Sequence, residues 1–145
     1  MNARLNFYLN FDGNCEEAMH YYAEIFGSEP YIFRAEDMSD EDRAMSDMDG
    51  FVGVLHGEVP IGESTIFMSD IFPGTQLTEG NRYYITYSHA DIDEVRRVWK
   101  SFIDTGSTVE MELGQTFWAK LYGILIDKYG IQWMIQCWDP EDLGE

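Results

Sequence analysis

Apolar and polar positions in this 145-residue chain alternate in short runs, switch to three- and four-residue spacing, and then do both again. The run Leu5-Asn6-Phe7-Tyr8-Leu9-Asn10-Phe11 predicts a strand, and the polar Asp12-Gly13 a turn. Ala18, Met19, Tyr22, Ile25 and Phe26 then recur at helical spacing. Asn14 stands as N-cap, Glu16 and Glu17 suit the positive helix end, and Gly27 suits its termination. A strand is expected around Tyr31-Ile32-Phe33. From Phe51 to Val59 a loose alternation returns; Pro60-Ile61-Gly62 reads as a turn and Ser64 to Ser69 as its hairpin partner.

The second half repeats this order. Tyr83-Tyr84-Ile85-Thr86-Tyr87 predicts a strand. Asp91 or Asp93 caps a helix whose apolar face is Val95, Val98, Trp99, Phe102 and Ile103, and Thr105-Gly106 ends it. Strands follow at Val109 to Leu113, Trp118 to Ile126 and Ile131 to Trp138, with Asp127-Lys128-Tyr129-Gly130 as the last turn. The reading is an α+β chain made of two βαβββ modules. Module one spans about 1–72, a linker 73–81, module two about 82–139, and a frayed tail 140–145. The halves differ in one stretch, Glu36 to Asp49, where seven of fourteen residues are acidic and no period holds. That stretch reads as an exposed loop with at most a short helical turn.

Composition removes some functions. The formal charge of −18 argues against a phosphate backbone or an anionic membrane as partner, since both need Lys and Arg. Cys15 and Cys137 sit in different halves without metal-type spacing. No apolar run approaches the roughly 20 residues of a membrane span. The first residues pass directly into a strand, with no secretory segment, so a cytoplasmic location is expected.

The stretch Tyr8-Leu9-Asn10-Phe11-Asp12-Gly13-Asn14-Cys15-Glu16-Glu17-Ala18, with Tyr21-Tyr22 and Ile25-Phe26-Gly27, resembles the opening of the PhnB-like branch of the glyoxalase/bleomycin-resistance (vicinal oxygen chelate) superfamily. Leu55-His56-Gly57-Glu58, Phe67-Met68-Ser69-Asp70, Phe117-Trp118 and Asp127 to Met134 fit the same branch in the same order. The resemblance implies a cupped, mostly antiparallel, barrel-like sheet and a homodimer. It also implies, in catalytic members, a divalent metal held by His, Gln and Glu from the first and last strand of each module. Some members carry a ubiquinone-pathway methyltransferase label. The chain shows no glycine-rich S-adenosylmethionine loop after a strand, so that label is set aside.

The residues at the metal positions depart from the catalytic pattern. The first strand of module one offers Tyr8 and Asn10, its last offers Phe67 and Met68, and Asp70 falls beyond that strand's end. Module two offers Tyr84, Thr86 and, where metal enzymes carry Glu, Met134. Thioether, phenol and amide groups are poor ligands for a hard catalytic ion, so no cofactor is expected. Among the histidines, His20 reads as a surface residue, His89 as bonded to backbone at a turn, and His56 as the one able to reach a concave face. Cys15 lies near a helix start but beside two glutamates, which disfavours thiolate formation.

The aromatic residues Tyr8, Phe67, Tyr84, Trp118 and Trp133 lie on strands that line the cup in the resembling fold. The expected ligand-binding set is Tyr8, Asn10, His56, Phe67, Tyr84, Thr86, Trp118, Met134 and Gln136, with no catalytic or metal residues. The expected function is small-molecule binding by a metal-degenerate homodimer. One alternative is a metal-dependent lyase, isomerase or dioxygenase-type enzyme using His56 and Asp70. A structural or regulatory dimer without ligand is the other.

Overall fold

The computed structural model describes residues 3–46, 50–139 and 141. The chain divides into two compact units, Met1–Thr78 and Glu79–Glu145. The first runs β1 (Phe7–Phe11), α1 (Cys15–Phe26), β2 (Tyr31–Arg34), α2 (Asp40–Met45), β3 (Val54–Ile61) and β4 (Ser64–Asp70). The second runs β5 (Ile85–His89), α3 (Ile92–Ile103), β6 (Thr108–Gly114), β7 (Leu121–Ile126) and β8 (Gln132–Cys137). The α+β class and the doubled βαβββ order are as expected. The acidic stretch folds into a 3-10 turn at Ala35–Asp37 and α2, which Ser39 caps by accepting from the Asp42 N–H. Its end at 47–49, and the tail residues 140 and 142–145, lie outside the described residues.

Each unit is a four-stranded mixed sheet, in the orders β1-β4-β3-β2 and β5-β8-β7-β6. The first strand of each lies parallel to the last, Tyr8 beside Phe67 and Thr86 beside Met134, and the remaining pairs are antiparallel. A strand's side chains alternate between faces, so register decides which residues meet the helix. Under α1 lie Leu9, Phe11, Val54, Val59, Ile66 and Met68, packed against Ala18, Met19 and Tyr22. In unit two, Val95, Val98, Trp99 and Phe102 cover Leu121, Leu125, Trp133 and Ile135. The Phe102 and Trp133 rings are 5.2 Å apart.

The helices sit close to their sheets because a strand glycine lies beneath each. A Cβ at Gly57 would fall 2.4 Å from the Met19 sulfur, and one at Gly123 would fall 2.7 Å from the Trp99 ring.

Two buried carboxylates tie loops to the sheets. Asp70, the last residue of β4 and not a residue beyond its end, accepts from the Gly13 and Cys15 N–H groups through Oδ1, at 2.8 and 3.1 Å. Its Oδ2 accepts from the Val54 N–H at 2.8 Å. Asn14 stands at the N-cap position but makes no side-chain cap; Asp70 reaches the start of α1 from across the sheet instead. Gly53 is required there: its φ is 105°, and a Cβ would lie 2.2 Å from Asp70 Oδ2. Asp127 accepts from the Tyr129 and Ile131 N–H groups and, at 2.9 Å, from the Trp133 indole N–H. Its turn holds Gly130 in the left-handed region, and the buried indole is satisfied.

Other boundaries shift. Pro60 and Ile61 continue β3, so the hairpin turns at Gly62-Glu63. Tyr83 and Tyr84 precede β5, and Trp118 precedes β7; neither expected strand extends that far.

Candidate functional site

The face of each sheet away from its helix carries the candidate chemistry. In unit one, alternation places Tyr8 and Asn10 of β1, Phe67 and Ser69 of β4, and His56 and Glu58 of β3 on that face. The Tyr8 hydroxyl donates to Ser69 Oγ at 2.7 Å. The His56 ring lies 5.7 Å from that of Phe67 and 6.4 Å from that of Tyr31, and its Nε2 is 2.9 Å from Glu58 Oε2. Both side chains of that pair stay accessible, 43% for His56 and 38% for Glu58.

In unit two the same face brings Thr86, Met134 and Gln136 together. The Gln136 amide donates to Ser88 Oγ at 2.8 Å, and the Tyr122 hydroxyl donates to the Met134 sulfur at 3.1 Å. Trp118, in the loop before β7, stacks edge-on against Tyr122 at 5.2 Å and against Phe117 at 4.8 Å. Tyr84 donates to Glu110 Oε2 at 3.0 Å, which raises the phenol pKa above its ordinary value, chiefly through that bond. Trp133, expected among the lining rings, instead lies fully buried on the α3 side. It sits one residue from Met134, and neighbours on a strand take opposite faces.

Of the nine expected ligand-binding residues, Tyr8, Asn10, His56 and Phe67 thus share one face, Thr86, Met134 and Gln136 share another, and Tyr84 and Trp118 lie beside strands. Sequence reasoning passed over Glu58, Tyr31, Ser69 and Tyr122. Glu58 was legible in principle, since it lies two residues from His56 on one strand. Tyr31 was not, because only the β2–β3 register brings it alongside.

Cys15, His20 and His89 lie outside these faces. Burial, then the Asp70 and Glu16 charges, push the Cys15 thiol from 9.0 to about 12, which leaves it without nucleophilic character at neutral pH. His20 is exposed near Glu16, and His89 Nδ1 accepts from the Asp91 N–H at 2.9 Å, as expected.

A catalytic divalent ion does not fit these positions. The strand positions that would supply its ligands hold Tyr8, Phe67, Thr86 and Met134. The alternative pair fails on parity: His56 faces away from α1, whereas Asp70 faces it with both oxygens committed to backbone N–H groups. Among the described residues, no three His, Cys, Asp or Glu side chains gather as a metal site.

Two mixed-sheet βαβββ units, each with one helix-covered face and one face bearing aromatic and polar groups, define a protein of the glyoxalase/bleomycin-resistance class. The fold matches solved structures across that class: protein PA1353 from Pseudomonas aeruginosa (TM-score 0.79, 25% identity, 94% of this chain and 98% of that one), and the PhnB protein from Bacillus cereus (0.70, 21%, 92% and 98%). The fosfomycin resistance protein FosX from Mesorhizobium loti matches in fold at 10% identity (0.65, 100% and 99%). Protein YjdN of Escherichia coli (strain K12) is 30% identical over 135 residues, covering 88% of this chain and 90% of that protein. Residues 3–136 match the family described as 3-demethylubiquinone-9 3-methyltransferase. The chain belongs to that family, the PhnB-like branch of the superfamily.

Proposed function

We propose that this protein binds a small molecule on the sheet faces turned away from α1 and α3, without a catalytic metal, as a homodimer in the cytoplasm. The observation that carries the reading is the His56 ring held between Tyr31 and Phe67 with its nitrogen on Glu58. Rings that offer flat contact, beside a few oriented polar groups, are what a small ligand needs. Dimerisation is supported by apolar side chains that stand in water, Phe117 at 97% and Val52 at 81% exposure. Two buried cysteine thiols suit a reducing compartment, and no helix among the described residues is long and apolar enough to cross a membrane. A charge of −18 keeps nucleic acid and anionic membranes out of the reading.

Methyl transfer, named in the family's description, is not part of it. The chain shows no glycine-rich loop after a strand of the kind that cradles S-adenosylmethionine.

The test is a thermal-shift screen of small metabolites, S-adenosylmethionine included, alongside Mn²⁺, Ni²⁺, Zn²⁺ and Fe²⁺. A saturable shift with an organic ligand that weakens in Phe67→Ala supports the reading. A shift saturating at one metal ion per chain overturns its metal-independent part. Light scattering that returns a monomer mass overturns the dimer.

A further inference from the structure

Glu58 stands at the centre of a cross-strand row. Its register partners are Tyr31 on β2 and Phe67 on β4, so one carboxylate lies between two rings on adjacent strands. Directly opposed residues place their Cβ atoms about 4.5–5.5 Å apart. His56, two residues along the same face, adds a third ring and engages Oε2 only, leaving Oε1 without a partner among the described residues.

Lys and Arg are scarce on the described strands. The eight strands contain one Lys or Arg side chain, Arg34, and it is held by Glu16 at 2.6 and 2.8 Å. In unit two the carboxylates are Glu110, held by Tyr84, and Glu112, both on β6, and no residue of the described strands there is Lys or Arg. An anionic ligand would meet carboxylates with no free Lys or Arg beside them on the strands, in the field of a chain carrying −18. A cation meets the opposite: a carboxylate to neutralise it and ring faces whose quadrupoles attract it.

We propose that the ligand of the unit-one face is an organic cation, an amine, quaternary ammonium or guanidinium compound with an apolar body. Its charged head sits at Glu58 and is walled by Tyr31, Phe67 and His56. The proposal rests on the small-molecule reading of that face and specifies its charge.

The experiment is an amide NMR titration of the ¹⁵N-labelled full chain at low salt with three probes that share a phenyl ring: benzyltrimethylammonium, phenylphosphonate and benzyl alcohol. The expected result is saturable movement of β3 and β4 amides with the ammonium probe alone. Glu58→Gln should weaken that binding about tenfold, the scale of one desolvated charge contact, while Phe67→Leu weakens it less. Unchanged amide dispersion in both variants would establish that they fold. Equal or tighter binding of phenylphosphonate or benzyl alcohol at the same amides overturns the charge assignment and leaves the binding face standing. No movement at β3 or β4 with any probe overturns both.

Discussion

A single carboxylate, Asp70, joins the β1–α1 turn, the start of β3 and the end of β4. It accepts three backbone N–H bonds while almost wholly buried, and charged acceptors make the stronger bonds of this kind. Asp70→Asn turns one oxygen into a donor that faces other donors. It should destabilise the protein by about 2–4 kcal/mol, read from urea unfolding followed by circular dichroism. Its neighbour Cys15 gives a second prediction. A thiol pKa raised from 9.0 to about 12 means a contribution to stability fully present below pH 9 and lost as pH rises toward 12. At pH 8 iodoacetamide should modify native protein at least about 100-fold more slowly than urea-unfolded protein. Comparable rates would contradict the burial.

Among the elements, the helices were the most legible in sequence. Spacing at Val95, Val98, Trp99 and Phe102 and the cap at Asp91, which accepts from the Asp93 N–H, are local signals and survive folding intact. Strand membership and parity were not local. Trp133 and Met134 look equally able to line a face until β7 and β8 fix the register. Tyr84 and Trp118 look like strand residues until their neighbours leave them unpaired. Asp70 reads as lying beyond its strand because nothing in sequence links it to Gly13, Cys15 and Val54. The faces of the candidate site were therefore recovered only in part, through Tyr8, Asn10, His56 and Phe67 in one unit and Thr86, Met134 and Gln136 in the other. Gly57 and Gly123 show the same blindness, since their role depends on a helix crossing above. Gly57→Ala should cost about 1–2 kcal/mol, because Met19 is flexible and can yield while the Met68 carbonyl oxygen, 3.2 Å away, needs only a small shift. Gly123→Ala should cost about 3 kcal/mol, because it meets the rigid Trp99 ring and the Leu113 backbone. Equal losses in chemical unfolding would show that the ring yields as easily as the thioether.

For the molecule as a whole, charge is the dominant quantity. With 27 acidic and 9 basic residues, self-repulsion opposes compaction and salt should relieve it. The melting temperature should rise by several degrees between about 10 and 200 mM NaCl; a fall would mean that ion pairs outweigh the repulsion. Two such pairs are visible at low pH. Hydrogen bonds from Arg34 and Arg97 hold Glu16 and Glu94 below their ordinary 4.5. A depressed folded value gives stability present above pH 4.5 and lost as pH falls through the folded value. Both pairs are accessible to water and so weak at neutral pH. Arg34→Met should leave the neutral melting temperature nearly unchanged while flattening the decline between pH 4.5 and lower values, as followed by scanning fluorimetry.

The pairing of β1 with β4, sealed by Asp70, has a consequence during synthesis. Until residue 70 leaves the ribosome, β1 has no sheet neighbour and the start of α1 has no carboxylate to bind. At roughly 5–20 residues per second, that leaves the nascent first unit open for seconds, its apolar underside uncovered. β5 waits for β8 in the same way. Each half thus closes like a ring whose last link is made last, and a chain stalled just short of β4 would be the form most exposed to chaperones and proteases.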